Sequence, residues 1–146
     1  MRKSRPSTQT FLLDTNVFIA AIKDPERQTG TLQLLLKIIK DPGIRLVGNV
    51  LLAEEMRRYV ELFESKKVAI LVSCLLCKME LVRVPENYVK ICKTYIRTPD
   101  KADVPHAATC LQTGAALITN DRHFDLIKEE GIIKVLSVTE AIRKLL

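Results

Sequence analysis

The sequence predicts an α/β domain, a three-layer α/β/α sandwich around a mainly parallel sheet of about five strands. Three observations predict it. Short apolar, β-branched runs alternate along the chain with longer segments of helical period. Pro and Gly mark the segment ends, at Pro25, Asp41-Pro42-Gly43, Pro85, Gly114 and Gly131. Two of the apolar runs, "FLLD" at 11–14 and "AALIT" at 115–119, lead straight into an aspartate and an asparagine, as strands do at the ligand-binding edge of such a sheet.

Residues 1–10 read as a basic, polar tail and 11–146 as one domain. "FLLD" is the first strand, and "VFIAAIKD" begins a helix that stops before Pro25. The segment 24–30 is a turn. From Thr31 to Lys40 an amphipathic helix carries its stripe through Leu32, Leu35, Leu36 and Ile39, and Asp41-Pro42-Gly43 ends it. "IRLVG" is the second strand. "LLAEEMRRYVELFESKK" is a polar helix with a stripe through Leu52, Met56, Tyr59 and Phe63, and a more apolar helix covers 68–79. "ELVRV" is a third strand, residues 86–97 are helical, and Thr98-Pro99 turns into the helix of "DKADVPHAATCLQTG", closed by Gly114. After the fourth strand, "AALIT", come a short helix ending at Gly131 and the fifth strand, "KVLSV". Ser137 with Glu140 forms a capping-box pattern that opens the last helix.

With 146 residues, one domain of this kind buries about two-thirds of the surface its unfolded chain exposes, so neither disulfides nor a structural metal are needed. The +6 net charge and pI of 9.3 favour a polyanionic partner, although such an excess also serves solubility. Basic residues cluster at Arg2, Lys3 and Arg5, at Arg57-Arg58 and at Lys66-Lys67. Cys74 and Cys77 have C-x2-C spacing, but Cys92 and Cys110 do not, so all four are read as reduced, buried small hydrophobes rather than zinc ligands. Asp14 interrupts the apolar segment after the tail, and the longest apolar run, 68–77, is half a membrane span. A cytoplasmic protein with no membrane segment is expected.

Parallel strands point their carboxyl ends to one edge. If the first and fourth strands are neighbours, Asp14 and Asp121 come within a few ångströms of each other, and a cation or a shared proton must relieve them. Two helices offer further acids as pairs, Glu54 with Glu55 and Asp100 with Asp103. Pro105 sets the start of its helix near Asp103 and places that carboxylate at the same edge. Each acid has a plainer role available as a turn former, helix cap or solvated charge; four segments converging on one edge favour a shared one. Carboxylates with few histidines suit Mg2+ or Mn2+, ions that promote hydrolysis of phosphodiesters.

"LLDTNVFI" and "ADVPHAATCLQTGAALITNDRHF" resemble the opening and closing blocks of the PIN domain, the compact nuclease domain of many RNases, including the toxins of prokaryotic toxin–antitoxin pairs. The resemblance runs from Phe11 to about Val138. It implies that Asp14, Glu55, Asp103 and Asp121 hold the metal, with Glu55 preferred to Glu54 because an apolar residue, Met56, follows it. Thr15 or Asn16, Thr119 or Asn120, and Asp100 would orient these carboxylates by hydrogen bonds. It further implies a Mg2+- or Mn2+-dependent endoribonuclease acting on RNA of single-stranded character, a homodimer through helices 68–79 or 31–40, and a possible antitoxin partner. His106 is read as a packed or half-exposed histidine rather than a phosphate contact, and Asp125 as a plain surface charge. The alternative is a noncatalytic RNA-binding or scaffolding module on the same fold.

Overall fold

A computed structural model describes residues 9–23, 29–97 and 102–146. The elements run β1 (Gln9–Leu13), α1 (Thr15–Ile22), α2 (Gly30–Lys40), β2 (Ile44–Gly48), α3 (Val50–Phe63), α4 (Lys66–Lys78) and β3 (Met79–Leu81). Then follow α5 (Glu86–Lys93), α6 (Asp103–Thr113), β4 (Ala116–Ile118), a 3-10 turn (Arg122–Phe124), α7 (Asp125–Glu129), β5 (Lys134–Leu136) and α8 (Val138–Leu145). The five strands pair in parallel in the order β3-β2-β1-β4-β5.

This order determines where the helices lie. The chain steps outward from β1 through β2 to β3, then returns across the sheet to β4 and β5. Right-handed crossovers put connections of opposite direction on opposite faces. Helix α2 accordingly lies against β2 and packs on α1, α4 and α8, while α6 lies against β1, β2 and β4 with α5 upon it. The strand order reverses between β1 and β4, whose register pairs Phe11 with Ala116 and Leu13 with Ile118. The crevice at this switch point opens beyond Leu13 and Ile118.

The buried core joins both helical layers to the sheet, with Phe11, Leu12 and Leu13 of β1 and Leu117 and Ile118 of β4 essentially inaccessible. A strand covered on both faces is apolar at every position, which is why "FLL" and "ALI" are continuous runs rather than alternating ones. Gly48 ends β2 in a tight place, since a β-carbon there would strike the Met79 sulfur. Gly114 closes α6 at a φ of 77°, a left-handed cap that favours glycine.

Several boundaries differ from the sequence expectation. β1 begins at Gln9, so the last two residues of the expected tail belong to the strand, while 1–8 lie outside the described residues. The long polar helix ends at Phe63, where Glu64 takes a left-handed φ of 45° and Ser65 caps the next helix through Val68 N–H. Lys66 and Lys67 therefore open α4 rather than close α3. β3 spans only Met79–Leu81, although Val82 N–H still donates to Gly48 C=O at 2.8 Å. In α2 the buried face is Leu32, Leu34, Leu35 and Ile38, with Leu36 exposed. Five of its residues from Leu34 to Ile39 are apolar, so the spacing fitted two overlapping stripes, and packing against both β2 and its flanking helices selected the other one. The segments 24–28 and 98–101, with Asp100, lie outside the described residues.

The cysteines divide into two pairs. All four are free, but Cys74 and Cys77 are exposed on α4 and only Cys92 and Cys110 are buried, which corrects the expectation that all four fill the core. The C-x2-C spacing places the first pair on one helix face, and that face points outward. Burial pushes the Cys92 thiol up to about 11, and burial raises that of Cys110 still further, with Cys92 and Asp14 adding to it. The reactive species is the thiolate. Iodoacetamide at pH 8 should therefore modify Cys74 and Cys77 on the native protein and leave Cys92 and Cys110 until denaturant is added, as peptide mass mapping would read.

Candidate active site

Beyond the ends of β1 and β4 lies a cleft of about 180 Å³ lined by Asp14, Glu55, Asp103 and Asp121 together with Thr15, Asn16, Tyr59 and His106. Four elements supply the acids. Asp14 is the N-cap of α1, Glu55 sits midway along α3, Asp103 is the first residue of α6 and Asp121 precedes the 3-10 turn. Glu54, one position from Glu55, is exposed. Asp125 is likewise exposed on α7.

The hydroxyls hold the carboxylates in place. Asp14, only 6% exposed, accepts from Thr15 N–H through Oδ1 at 2.7 Å and from the Thr119 hydroxyl through Oδ2 at 2.7 Å. Thr119 Oγ1 in turn accepts from Asp121 N–H at 3.0 Å, and Asn16 Nδ2 stands 3.5 Å from it. One threonine at the end of β4 thus links the acids of both central strands. The Thr15 hydroxyl donates to Glu55 Oε2 at 2.6 Å, fastening α3 to the start of α1. Asn120 is exposed and turns away, its Oδ1 accepting from Val138 N–H at the start of α8.

Two residues of the site were not singled out from sequence for these roles. His123, in the 3-10 turn, holds Nδ1 at 3.0 Å from Asp103 Oδ2 and 3.1 Å from Asp121 Oδ1. The readable signal was the Asp-x-His spacing after β4; its aim depends on the turn. Asn49 was the other, and an asparagine directly ahead of a helix is a legible cap. Its Oδ1 accepts from Leu52 N–H at 2.9 Å, and its Nδ2 lies 3.1 Å from both His106 Nδ1 and Thr109 Oγ1.

That network assigns the hydrogens. Leu52 N–H fixes the Asn49 amide orientation, so Nδ2 must donate, and Thr109, which donates its own hydrogen to Pro105 C=O, accepts. His106 Nδ1 is then an acceptor and its hydrogen sits on Nε2, 3.8 Å from Glu55 Oε1. His106 is packed, at 1% exposed, yet it forms the floor of the cleft behind Glu55. Asn49→Ala removes a helix cap and two further buried hydrogen bonds, and should cost about 2 kcal/mol. Urea unfolding would measure it, with a loss below about 0.5 kcal/mol contradicting the network.

The donor set fits a hard divalent cation. Asp14 and Asp103 are almost wholly buried, at 6% and 2% exposed, in a cleft that also holds two further carboxylates. Crowded carboxylates that stay ionised call for positive charge among them. Oxygen donors from several carboxylates suit Mg2+ or Mn2+, and one group of ligand atoms, from Asp103, Asp121 and His123, lies within a mutual 4.8 Å.

Comparison with known proteins bears on the fold and the family. No curated protein sequence matches significantly. Among solved structures, VapBC2 from Rickettsia felis, bound to a DNA fragment from its promoter, superposes with a TM-score of 0.61 at 19% identity, covering 88% of this chain and 98% of that one. FitAB bound to an IR36 DNA fragment gives 0.54 at 23% identity, covering 88% and 94%. At these identities the likeness is one of fold. The family profile of the PIN domain matches residues 11–130, from the first core residue of β1 to the end of α7, and the chain belongs to the PIN domain family.

Proposed function

We propose that this PIN domain is a Mg2+- or Mn2+-dependent endoribonuclease cutting RNA of single-stranded character. The observation that carries the reading is the convergence of Asp14, Glu55, Asp103 and Asp121 on one cleft at the switch point of the sheet. A module that only bound RNA would gain nothing from four carboxylates where a phosphate must approach.

A divalent ion held by these acids would offset the charge of the scissile phosphate and make water a better nucleophile. The chain's own residues do the remaining work. Thr119 and Thr15 keep Asp14 and Glu55 from rotating, so their oxygens face the cleft before anything binds. His106 backs Glu55 from below. Asp121 and Asp125 border a shallow groove in which Arg122 and Lys128 offer cationic contacts to the flanking backbone. Arg57 and Arg58, exposed on α3, extend that character beyond the acidic centre.

The two superposing structures are complexes of two-part systems on DNA, which supports a toxin-like role with a protein inhibitor for this chain as well. Self-association through α4, where Ile70 is 65% exposed, fits better than through α2, whose apolar face fills the chain's own core.

The test is cleavage of an end-labelled, unstructured RNA with Mn2+, Mg2+ or EDTA, comparing wild type with Asp14→Asn and Asp121→Asn. Cutting that requires the ion and disappears in both variants is expected. RNA bound without being cut, by all three proteins alike, would instead establish the noncatalytic module.

A further inference from the structure

We infer that His123 is a metal ligand of this cleft beside Asp103 and Asp121, and that it tilts the site toward Mn2+ over Mg2+. The inference rests on the metal-site reading above and concerns a residue that the acid cluster does not include.

His123 Nδ1 stands 3.0 Å from Asp103 Oδ2 and 3.1 Å from Asp121 Oδ1. In an octahedron with bonds of about 2.1 Å, neighbouring donor atoms are about 3.0 Å apart. Nδ1 is thus spaced from each carboxylate oxygen as adjacent corners of one coordination shell are, and all three atoms lie within 4.8 Å of one another.

The local chain keeps the ring there. Asp121 Oδ1 accepts from His123 N–H at 2.9 Å, which closes the 3-10 turn and throws the side chain back over the aspartate it follows. Phe124, fully buried, anchors the next position in the core. Asp103, 2% exposed, is held on the other side by the first turn of α6. The imidazole thus spans two elements, and it is itself 48% exposed, so no burial prevents its hydrogen from moving to Nε2. With the hydrogen on Nε2, the Nδ1 lone pair faces the space shared by the two carboxylates.

The chemical consequence is selectivity. Mg2+ favours oxygen and keeps its waters, whereas affinity for a nitrogen donor rises along the first-row divalent ions beginning with Mn2+. Replacing one oxygen corner by an imidazole therefore helps Mn2+ and gives Mg2+ little.

Mn2+ bound to protein carrying 15N-histidine should show a directly coordinated nitrogen by electron spin-echo modulation, and His123→Asn should abolish it. Calorimetry should find Mn2+ binding weakened about ten-fold in His123→Asn while Mg2+ binding stays within about two-fold. The chain's other histidine, His106, supplies the control. A nitrogen signal that survives in His123→Asn comes from His106 and overturns the assignment. Mn2+ bound without any nitrogen coupling, or bound more tightly by the variant, overturns it while leaving the acid site intact. Wild type that binds no Mn2+ removes the metal site and this inference together.

Discussion

On the proposed reading of the cleft, Asp14→Asn should reduce metal-dependent RNA cleavage by about a thousand-fold or more in single-turnover assays. The estimate follows from what a bound ion contributes: several kcal/mol of transition-state charge stabilisation, of which about 4 kcal/mol corresponds to three powers of ten. Asp14 sits at the centre of the arrangement. It ends the central strand, is almost buried, and takes hydrogen bonds from α1 and β4 at once. Asparagine retains the shape and can still accept from Thr15 N–H, so the fold should survive, as circular dichroism would report. It loses the negative charge, and that loss is the variable under test. A variant that retains activity within about ten-fold of wild type would remove Asp14 from the chemistry and, with it, the reading of the cleft as a nuclease centre.

Saturating divalent metal should raise the melting temperature of the wild type by about 10 °C. An ion that binds the folded state alone stabilises it by about 2.7 kcal/mol when present at a hundred times its dissociation constant. For a domain of 146 residues, each kcal/mol is worth about 4 °C. EDTA should reverse the shift, and Asp14→Asn should lose most of it. Scanning fluorimetry across a Mn2+ series would show this directly. Equal shifts in wild type and variant would mean that the ion binds elsewhere on the protein.

Much of this site could be read in the sequence because its main elements are local signals placed by topology. An apolar run ending in Asp-Thr-Asn can be seen without a structure. So can Pro105, which sets α6 to begin at Asp103. The pairing of β1 with β4 stood in the sequence only as a condition that right-handed crossovers allow, and the sheet fulfils it. What could not be read has a physical reason in each case. The break between α3 and α4 falls at Glu64, a residue with no intrinsic preference for the left-handed conformation it adopts, so neither Gly nor Pro announced it. The buried face of α2 was ambiguous because nearly every central residue of that helix is apolar. The partnership of Asn49 with His106 spans 57 positions, and the aim of His123 is set by a 3-10 turn. Contacts of that kind exist only once the sheet has formed.

The single threonine that ties Asp14 to the end of β4 has a consequence for timing. Its hydroxyl bond crosses 105 positions of sequence, so no stretch of chain lacking β4 can hold Asp14 as the finished cleft does. During synthesis the ribosome extends the chain from the N-terminus, and Asp14 and Glu55 emerge long before Asp103, Thr119 and Asp121. A growing chain surrounded by messenger, transfer and ribosomal RNA therefore carries only half of the acid cluster. The centre closes when the fourth strand docks beside the first, with most of the domain already clear of the machinery that made it.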